Sequence, residues 1–309
     1  MVRRVARRLL VRTSSSTGIG KTMMHTLDQL NAMPPDEFVA ALHGVFEHAA
    51  WVAETAAGQR PFASVTALHE ALMGVVHAAP ADMCLNFLRG HPALAPKALA
   101  DPTLTAESRA EQGGLGMSSL GEQLARFEAG SAAYEGRFGF PFIVCVRRLT
   151  PPFVLRGLER RLGNSAAQER DAALAEIGFI TRLRMVDRVS GAGMPRTAGH
   201  LSAHVLDTAR GKAAEGIRIE VFREGVLLKE AITNHDGRSD APLLADGPLR
   251  MGRYELRFHV EDYYAGWPNV TDPPWYDIIP IRFGVADPEG HYHIPLLLGA
   301  WTYTTYRGS

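Results

Sequence analysis

The sequence predicts two domains, an all-α domain followed by an all-β domain. Three observations lead there. From Asp28 to Val186 apolar residues recur at helical spacing. Residues 187–199, "DRVSGAGMPRTAG", lack any period and are rich in Gly, as a connector is. From Leu201 onward the apolar period drops to two, in short runs separated by Gly, Asp and Pro. A chain of 309 residues has room for about two domains. The expected division is a basic, disordered leader at 1–24, a helical domain at 25–187, a linker at 188–199 and a β-sandwich at 200–309.

The helical half can be taken element by element. "PPDEFVAALHGVFEHAAWVAETAA" opens on Pro35 and predicts a helix with Phe38, Leu42, Val45 and Phe46 on one stripe. "FASVTALHEALMGVVHAA" has Ser64 as N-cap and Leu68, Leu72, Val75 and Val76 inside. "SSLGEQLARFEAGSAAYEGRFG" spaces Leu120, Leu124 and Phe127 at i, i+4, i+7. "TPPFVLRGLERRLG" starts on a cap residue and Pro and stops at Gly. "SAAQERDAALAEIGFITRLRMV" reads as a longer amphipathic helix carrying Leu174, Ile177, Ile180 and Leu183. "FGFPFIVCVR" is apolar but broken by Gly and Pro, so it is predicted to be extended.

Seven strand candidates follow: "LSAHVLD", "GIRIEVFRE", "VLLKEAIT", "GRYELRFHVEDYY", "IIPIRFGV", "YHIPLLLG" and "AWTYTTYRG". Short alternating runs of this kind predict a two-sheet sandwich.

Composition removes some function classes. Hydrophobic residues make up 46% of the chain and the formal net charge is zero, so there is no electrostatic case for nucleic acid or an acidic membrane surface. No apolar stretch approaches the ~20 residues of a membrane span. Cys84 and Cys145 lie far apart inside apolar runs and read as buried free thiols of a reducing compartment. The first segment, "MVRRVARRLLVRTSSSTGIGK", has six basic residues and no acid. It suits a transit peptide, a disordered leader or a misplaced start, the latter two being favoured. Its "STGIGKT" lacks the first Gly of a phosphate loop, because Ser15 stands there.

Two constellations carry chemistry. Period two puts His204 of "LSAHVLD", His293 of "HYHIPLL" and Tyr306 of "YRGS" on one sheet face. Imidazole is well suited to moving protons near neutral pH, although hydrogen-bonded or exposed strand histidines are the plainer reading. A zinc site built from His291 and His293 with His204 or His259 is the rival, but no acid or Cys ligand pattern accompanies them, so no metal is expected. In the helical half His91 directly precedes Pro92, which fixes the backbone from which the imidazole springs. Thr105 is a candidate cap for "AESRAEQ", where Ser108, Glu111 and Gln112 share one helix face. A capped, solvated helix is the alternative there.

"LSAHVLDTARGKAAEGI", "TNHDGRSDAPLL", "GRYELRFHVEDYY" and "HYHIPLLLGAWTYTTYRGS" together resemble the transthyretin-related 5-hydroxyisourate hydrolases. The terminal Tyr-Arg-Gly-Ser is that family's signature and separates it from transthyretin, the hormone carrier. The resemblance implies a transthyretin-like sandwich, a homotetramer assembled through it, and catalytic residues His204, Arg238, His293 and Tyr306, with Ser309 as a substrate-binding residue. "GAW" stands where the family usually has Ser-Pro-Tyr, which leaves the motif residues intact.

"FEHAAWVAE", "HPALAPKAL", "ESRAEQGGL" and "FGFPFIVCV" resemble the 2-oxo-4-hydroxy-4-carboxy-5-ureidoimidazoline (OHCU) decarboxylases, a helical family without cofactors. The resemblance makes His91 the catalytic histidine; because the reaction must deliver one proton to one face, His91 is the candidate proton donor, with Glu111 orienting it or gripping the ureido group. The resemblance makes Pro92, Ser108, Gln112, Ile143 and Arg147 substrate-binding residues. Ala50 stands before Trp51 where the family often has Pro.

The two implied reactions are consecutive. The expected function is therefore bifunctional urate breakdown, from 5-hydroxyisourate through OHCU to (S)-allantoin, in the cytoplasm. The alternatives are a chain with only one active half, or a transthyretin-like carrier with a helical interaction domain. A carrier has no use for His204, Arg238, His293 and the tail together.

Overall fold

A computed structural model describes residues 24–94, 104–268 and 270–308. The basic leader thus lies outside the described residues except for Met24, and so does Ser309.

The helical domain begins with β1 (His25–Thr26) and α1 (Leu27–Ala32), capped by a reciprocal Thr26–Gln29 box. Next come α2 (Pro35–Ala41), α3 (Ala50–Ala57), α4 (Val65–His77) and α5 (Ala81–Arg89). The stripe Phe38, Leu42, Val45 and Phe46 is buried as expected, but no single helix carries it. The chain breaks between α2 and α3, where Gly44 and His48 adopt positive φ. Glu47 sits in that break. A charged residue among apolar neighbours cannot lie on the buried side of a regular helix unless it finds a partner, and this break lets it reach one.

The domain continues with α6 (Ala106–Gly113), α7 (Gln123–Phe138), α8 (Pro151–Arg161) and α9 (Ala166–Val186). Thr105 and Ser64 cap α6 and α4 as the sequence predicts, and Ser165 caps α9. Residues 141–145 are non-helical, with Cys145 extended, and lead into a short 3-10 turn at Val146–Arg148. Leu120 lies in a separate 3-10 turn before α7.

The expected linker is not a loose tether. Its β2 (Val189–Ser190) pairs in parallel with β1, and Val65 N–H donates to the Ala192 carbonyl at 2.9 Å. Gly191 and Gly193 pack against Leu27 and Ser64, where a Cβ would clash at 2.8 and 2.6 Å. With this ribbon the first domain is helical but not purely so.

The second domain is a sandwich of two four-stranded sheets. One has the order β10–β9–β3–β4, the other β6–β5–β7–β8. Its strands are β3 (His200–Asp207), β4 (Lys212–Ala213), β5 (Arg218–Arg223), β6 (Val226–Ile232), β7 (Gly252–His259), β8 (Ile278–Val285), β9 (His291–Leu298) and β10 (Tyr303–Thr305). All seven expected runs contain a strand, and β4 is an addition. "EDYY" is not a continuation of β7 but a one-turn helix, α10 (Glu261–Tyr264). Leu201, Ala203 and Val205 of β3 face Ile219, Val221, Leu256 and Phe258 in a shared core.

The domains meet through a small ladder. Met251 N–H donates to the Arg148 carbonyl (2.7 Å) and Thr150 N–H to the Met251 carbonyl (3.1 Å). The Thr150 hydroxyl does not cap α8; it donates to Met251 O and Glu224. Glu289 of the β8–β9 turn binds both Arg148 and Arg182.

Candidate active sites

In the helical domain, α5 ends at Gly90 and His91 follows immediately. Its Nδ1–H donates to the Phe87 carbonyl at 3.0 Å, and its ring meets the Phe87 ring edge-on at 4.9 Å. A carbonyl can only accept, so this bond leaves Nε2 as a bare lone pair. Burial pushes the imidazole pKa down to about 4, against the opposing pull of the Phe87 bond and the Glu47 charge. His91 is therefore neutral at pH 7.

His91 lines a narrow cavity of about 50 Å³ together with Pro92, Ser108, Glu111, Gln112 and Ile143. The Gln112 Oε1 atom is buried there without a hydrogen-bond partner among the described residues. An unpaired buried amide oxygen costs free energy, and it keeps the capacity to accept a hydrogen bond. Ile143 is held by its carbonyl, which accepts from Arg161 Nη1 at 2.7 Å. Not every amide of this non-helical segment is free, because Cys145 N–H donates to Glu176 at 2.8 Å.

Sequence reasoning missed two members of this site, Arg184 and Glu47. Arg184 Nη2 and Nε donate to Glu111 at 2.8 and 3.1 Å. Its Nη1 donates to Glu47 (2.8 Å) and its Nη2 to Ser108 (3.0 Å). The Ser108 and Thr105 hydroxyls donate onward to Glu47 at 2.9 and 2.7 Å. Burial would raise the Glu47 pKa, but the Arg184 charge and these three donors outweigh it and hold the pKa below the usual carboxylate value. The available signal was a charge on each apolar stripe: Glu47 in "VFEHAAW" and Arg184 in "RLRMV".

Arg147 is not with the others. It lines a neighbouring cavity of about 550 Å³ on the far side of the Arg184–Glu111 pair, and it bonds Asp187 at 2.6 Å.

In the β domain, β3 and β9 run parallel with Ser202 opposite His293 and His204 opposite Pro295. This register puts both histidines on the outer face of the sheet, with ring centroids 6.5 Å apart. Ser202 Oγ lies 2.9 Å from His293 Nδ1 and 3.2 Å from His291 Nε2. Arg238 arrives from a tight turn. Asn234 Oδ1 accepts from Asp236 N–H and Arg238 N–H, while Val205 N–H donates to the Gly237 carbonyl at 2.8 Å. Gly237 has φ of +71°, and a Cβ there would stand 2.2 Å from the Val205 carbonyl oxygen, so only Gly brings the turn this close.

Burial first, then the Arg238 charge, lowers the pKa of both His204 and His293. His204 also has a hydrogen bond to the Asp236 backbone. The tail folds back along β9. Thr305 Oγ1 donates to the Pro295 carbonyl (2.8 Å) and Gly308 N–H to the His293 carbonyl (2.9 Å). The Arg307 guanidinium lies 5.1 Å from the centre of the Tyr292 ring. Tyr306, one residue past β10, continues the His293 face and is 58% exposed. His259 is remote from this group. It is on the other sheet with Arg218 and Glu220, and among the described residues no trio of His, Cys, Asp or Glu is placed to hold a metal.

Two family models match, OHCU decarboxylase over residues 31–186 and HIUase/transthyretin over residues 201–308. The chain is 51% identical to a 5-hydroxyisourate hydrolase of Deinococcus radiodurans, over 36% of this chain and 99% of that one. It is 37% identical to a 2-oxo-4-hydroxy-4-carboxy-5-ureidoimidazoline decarboxylase of Haloferax volcanii, over 53% and 96%. A crystal structure of (S)-allantoin synthase aligns with 92% of this chain and 100% of its own, at 33% identity and a TM-score of 0.51. By both halves of its sequence, the chain belongs to the OHCU decarboxylase family and, through its β domain, to the HIUase/transthyretin family.

Proposed function

We propose that the chain is a bifunctional allantoin synthase of urate breakdown. Its β domain hydrolyses 5-hydroxyisourate, and its helical domain decarboxylates the OHCU so formed to (S)-allantoin. The observation that carries this reading is that one chain holds both a desolvated, neutral His91, sharing a cavity with a Gln112 unpaired among the described residues, and a His204–His293–Arg238 cluster. Residues 25–187 and 200–309 are the two catalytic domains in this proposal, with 188–199 as their connector.

Hydrolysis opens a cyclic amide. His204 donates one ring N–H to the Asp236 backbone, which leaves its other nitrogen free to take a proton from water. The hydroxide adds to the ring carbonyl, and Arg238 offsets the negative charge that develops on oxygen. The C–N bond then breaks, the proton passes to the leaving nitrogen, and the carbonyl carbon becomes the new carboxylate. His293, fixed by Ser202, orients the substrate. The outer face that carries these groups is half-buried in one chain, and Tyr306 is exposed on it, which supports completion of the site by a second copy in a homotetramer.

Decarboxylation releases CO2 and leaves an electron pair that the adjoining ring carbonyl or imine holds. One proton must reach that carbon on one face. His91 is neutral in the free chain, so it does not arrive as the imidazolium that a simple proton donor requires. The anionic substrate supplies the missing counter-charge, raises the imidazole pKa, and lets Nε2 pick up the proton it then delivers. Glu111, locked by Arg184, and Gln112 grip the ureido nitrogens and carbonyl, which sets the face. No single described helix is long and apolar enough to cross a membrane. The two free buried cysteines support the cytoplasm as the compartment.

The test is to supply freshly generated 5-hydroxyisourate to the full chain. Ultraviolet absorbance should fall in two enzyme-dependent phases, and circular dichroism should report (S)-allantoin. With His91→Ala the first phase should persist within a few-fold and the second should revert to the spontaneous rate. Racemic product from the native chain, or unimpaired decarboxylation by His91→Ala, defeats the reading.

A further inference from the structure

The large cavity beyond the Arg184–Glu111 pair is closed on one side by the β domain, through Arg250. Three of its guanidinium groups have a carboxylate: Arg147 with Asp187, Arg184 with Glu111, Arg188 with Glu107. Arg250 has none among the described residues. Its Nη2 donates to the carbonyl of Gly114, the cap residue of α6, at 2.8 Å. A half-buried cation whose only partner among the described residues is a neutral carbonyl is incompletely compensated, and a planar guanidinium with free donors favours a carboxylate. Burial also lowers its pKa, in keeping with a missing counter-ion.

We propose that this interdomain cavity is a docking site for a small organic carboxylate, with Arg250 of the β domain as its receptor. The ligand class is that of the OHCU intermediate itself, so the inference rests on the proposed decarboxylase function. Glu111 and Arg184 line both this cavity and the His91 cavity, so a carboxylate held at Arg250 waits against the pair that orients the reaction. Arg250 touches no reacting atom and is a positioning residue. One domain thereby adds to the other's three carboxylate-paired guanidinium groups a fourth that has no carboxylate among the described residues.

A purely structural role is the competing reading, since Arg250 also braces the C-terminal end of α6. Steady-state decarboxylation by the full chain separates the two. In Arg250→Gln the KM for OHCU should rise about tenfold, the cost of one charged hydrogen bond, with kcat within twofold. The fall of kcat/KM with added NaCl should become shallower, because a salt-screened ionic attraction has been removed. Arg250→Lys should keep most of the salt response. Hydrolase kinetics should be unchanged in both. Native KM and native salt response in Arg250→Gln overturn the proposal. Equal damage in Arg250→Lys and Arg250→Gln, without a change in salt response, assigns Arg250 to bracing and also overturns it. Should Arg250→Gln not fold, the native chain decides: a KM that does not rise with NaCl sinks the idea. None of these results touches the reading of His91, which stands or falls on the His91→Ala variant.

Discussion

Arg184 holds Glu111 in a fork of two hydrogen bonds, 2.8 and 3.1 Å, and turns its remaining donors to Glu47 and Ser108. A bidentate guanidinium–carboxylate pair fixes angle as well as distance. Because Arg184 is on α9 and Glu111 on α6, the last helix of the domain sets the orientation of a carboxylate in a site formed by earlier elements.

Arg184→Ala should therefore remove decarboxylation and also destabilise the helical domain. It leaves Glu47, only 2% exposed, without its cation. Breaking a buried ion pair from one side costs about 3–5 kcal/mol. Arg184→Lys keeps a charge but loses the fork, so it should restore part of the melting temperature and little of the rate. Thermal melts beside single-turnover decarboxylation check both statements, and a fully active Arg184→Lys would show that the fork is unnecessary.

Much of the fold was legible because periodicity reports burial. The stripe Phe38–Phe46 and the β3 and β9 faces are where a count of apolar positions puts them. What period cannot show is a break that keeps the stripe buried, as between α2 and α3. It also cannot show partnership at a distance in sequence: Glu47 and Arg184 each interrupt an apolar stripe, but they are 137 residues apart and neither names the other. The linker misled for a related reason. Its Gly content suggested freedom, whereas Gly191 and Gly193 are small because Leu27 and Ser64 press against them.

His91 and His69 should both titrate near pH 4, well below the ordinary 6.5, since burial is the leading cause at each. Below pH 6.5 the unfolded chain binds protons that these folded imidazoles refuse, so stability present above 6.5 is lost as pH falls toward 4. Imidazole ring-proton NMR across that range should show two midpoints near pH 4, one of which disappears in His91→Ala. A midpoint near 6.5 for that signal would contradict the desolvated, neutral ground state.

For the hydrolase, His204→Ala and Arg238→Ala should each lower kcat/KM by roughly 10²-fold or more, the size of a lost proton-transfer group or oxyanion partner. Decarboxylation of supplied OHCU should persist in both. Burial and the Arg238 charge both depress the His204 pKa, so native hydrolysis should hold its rate to below pH 6.5. In Arg238→Ala one of those causes is gone, and the acidic limb of the residual activity should move upward. A limb that stays in place would mean that His204 is not the titrating base.

Gly308 supplies the most selective test of the tail. Its N–H donates to the His293 carbonyl at 2.9 Å, so the tail lies directly against the strand that carries the imidazole. A Cβ on Gly308 would stand 2.6 Å from His293 Cδ2 and 3.1 Å from both Cβ and Cγ of that residue. Carbon atoms do not approach so closely, so in Gly308→Ala either the ring rotates or the tail lifts. Each response displaces a proposed catalytic group: the first moves His293, the second carries Tyr306 away from it. Little else depends on the contact, because Gly308 contributes no side chain to either core and Thr305 still anchors β10 to Pro295. Hydrolase kcat/KM should fall by about 10²-fold, in line with the loss of correct positioning. The melting temperature, the mass in solution and the decarboxylase rate should stay near native values. Gly308→Ala with native hydrolysis would separate the tail from the chemistry. If instead assembly were lost, the contact would be assigned to the subunit interface, and a folded tetramer restored at high protein concentration would have to regain activity for that assignment to hold.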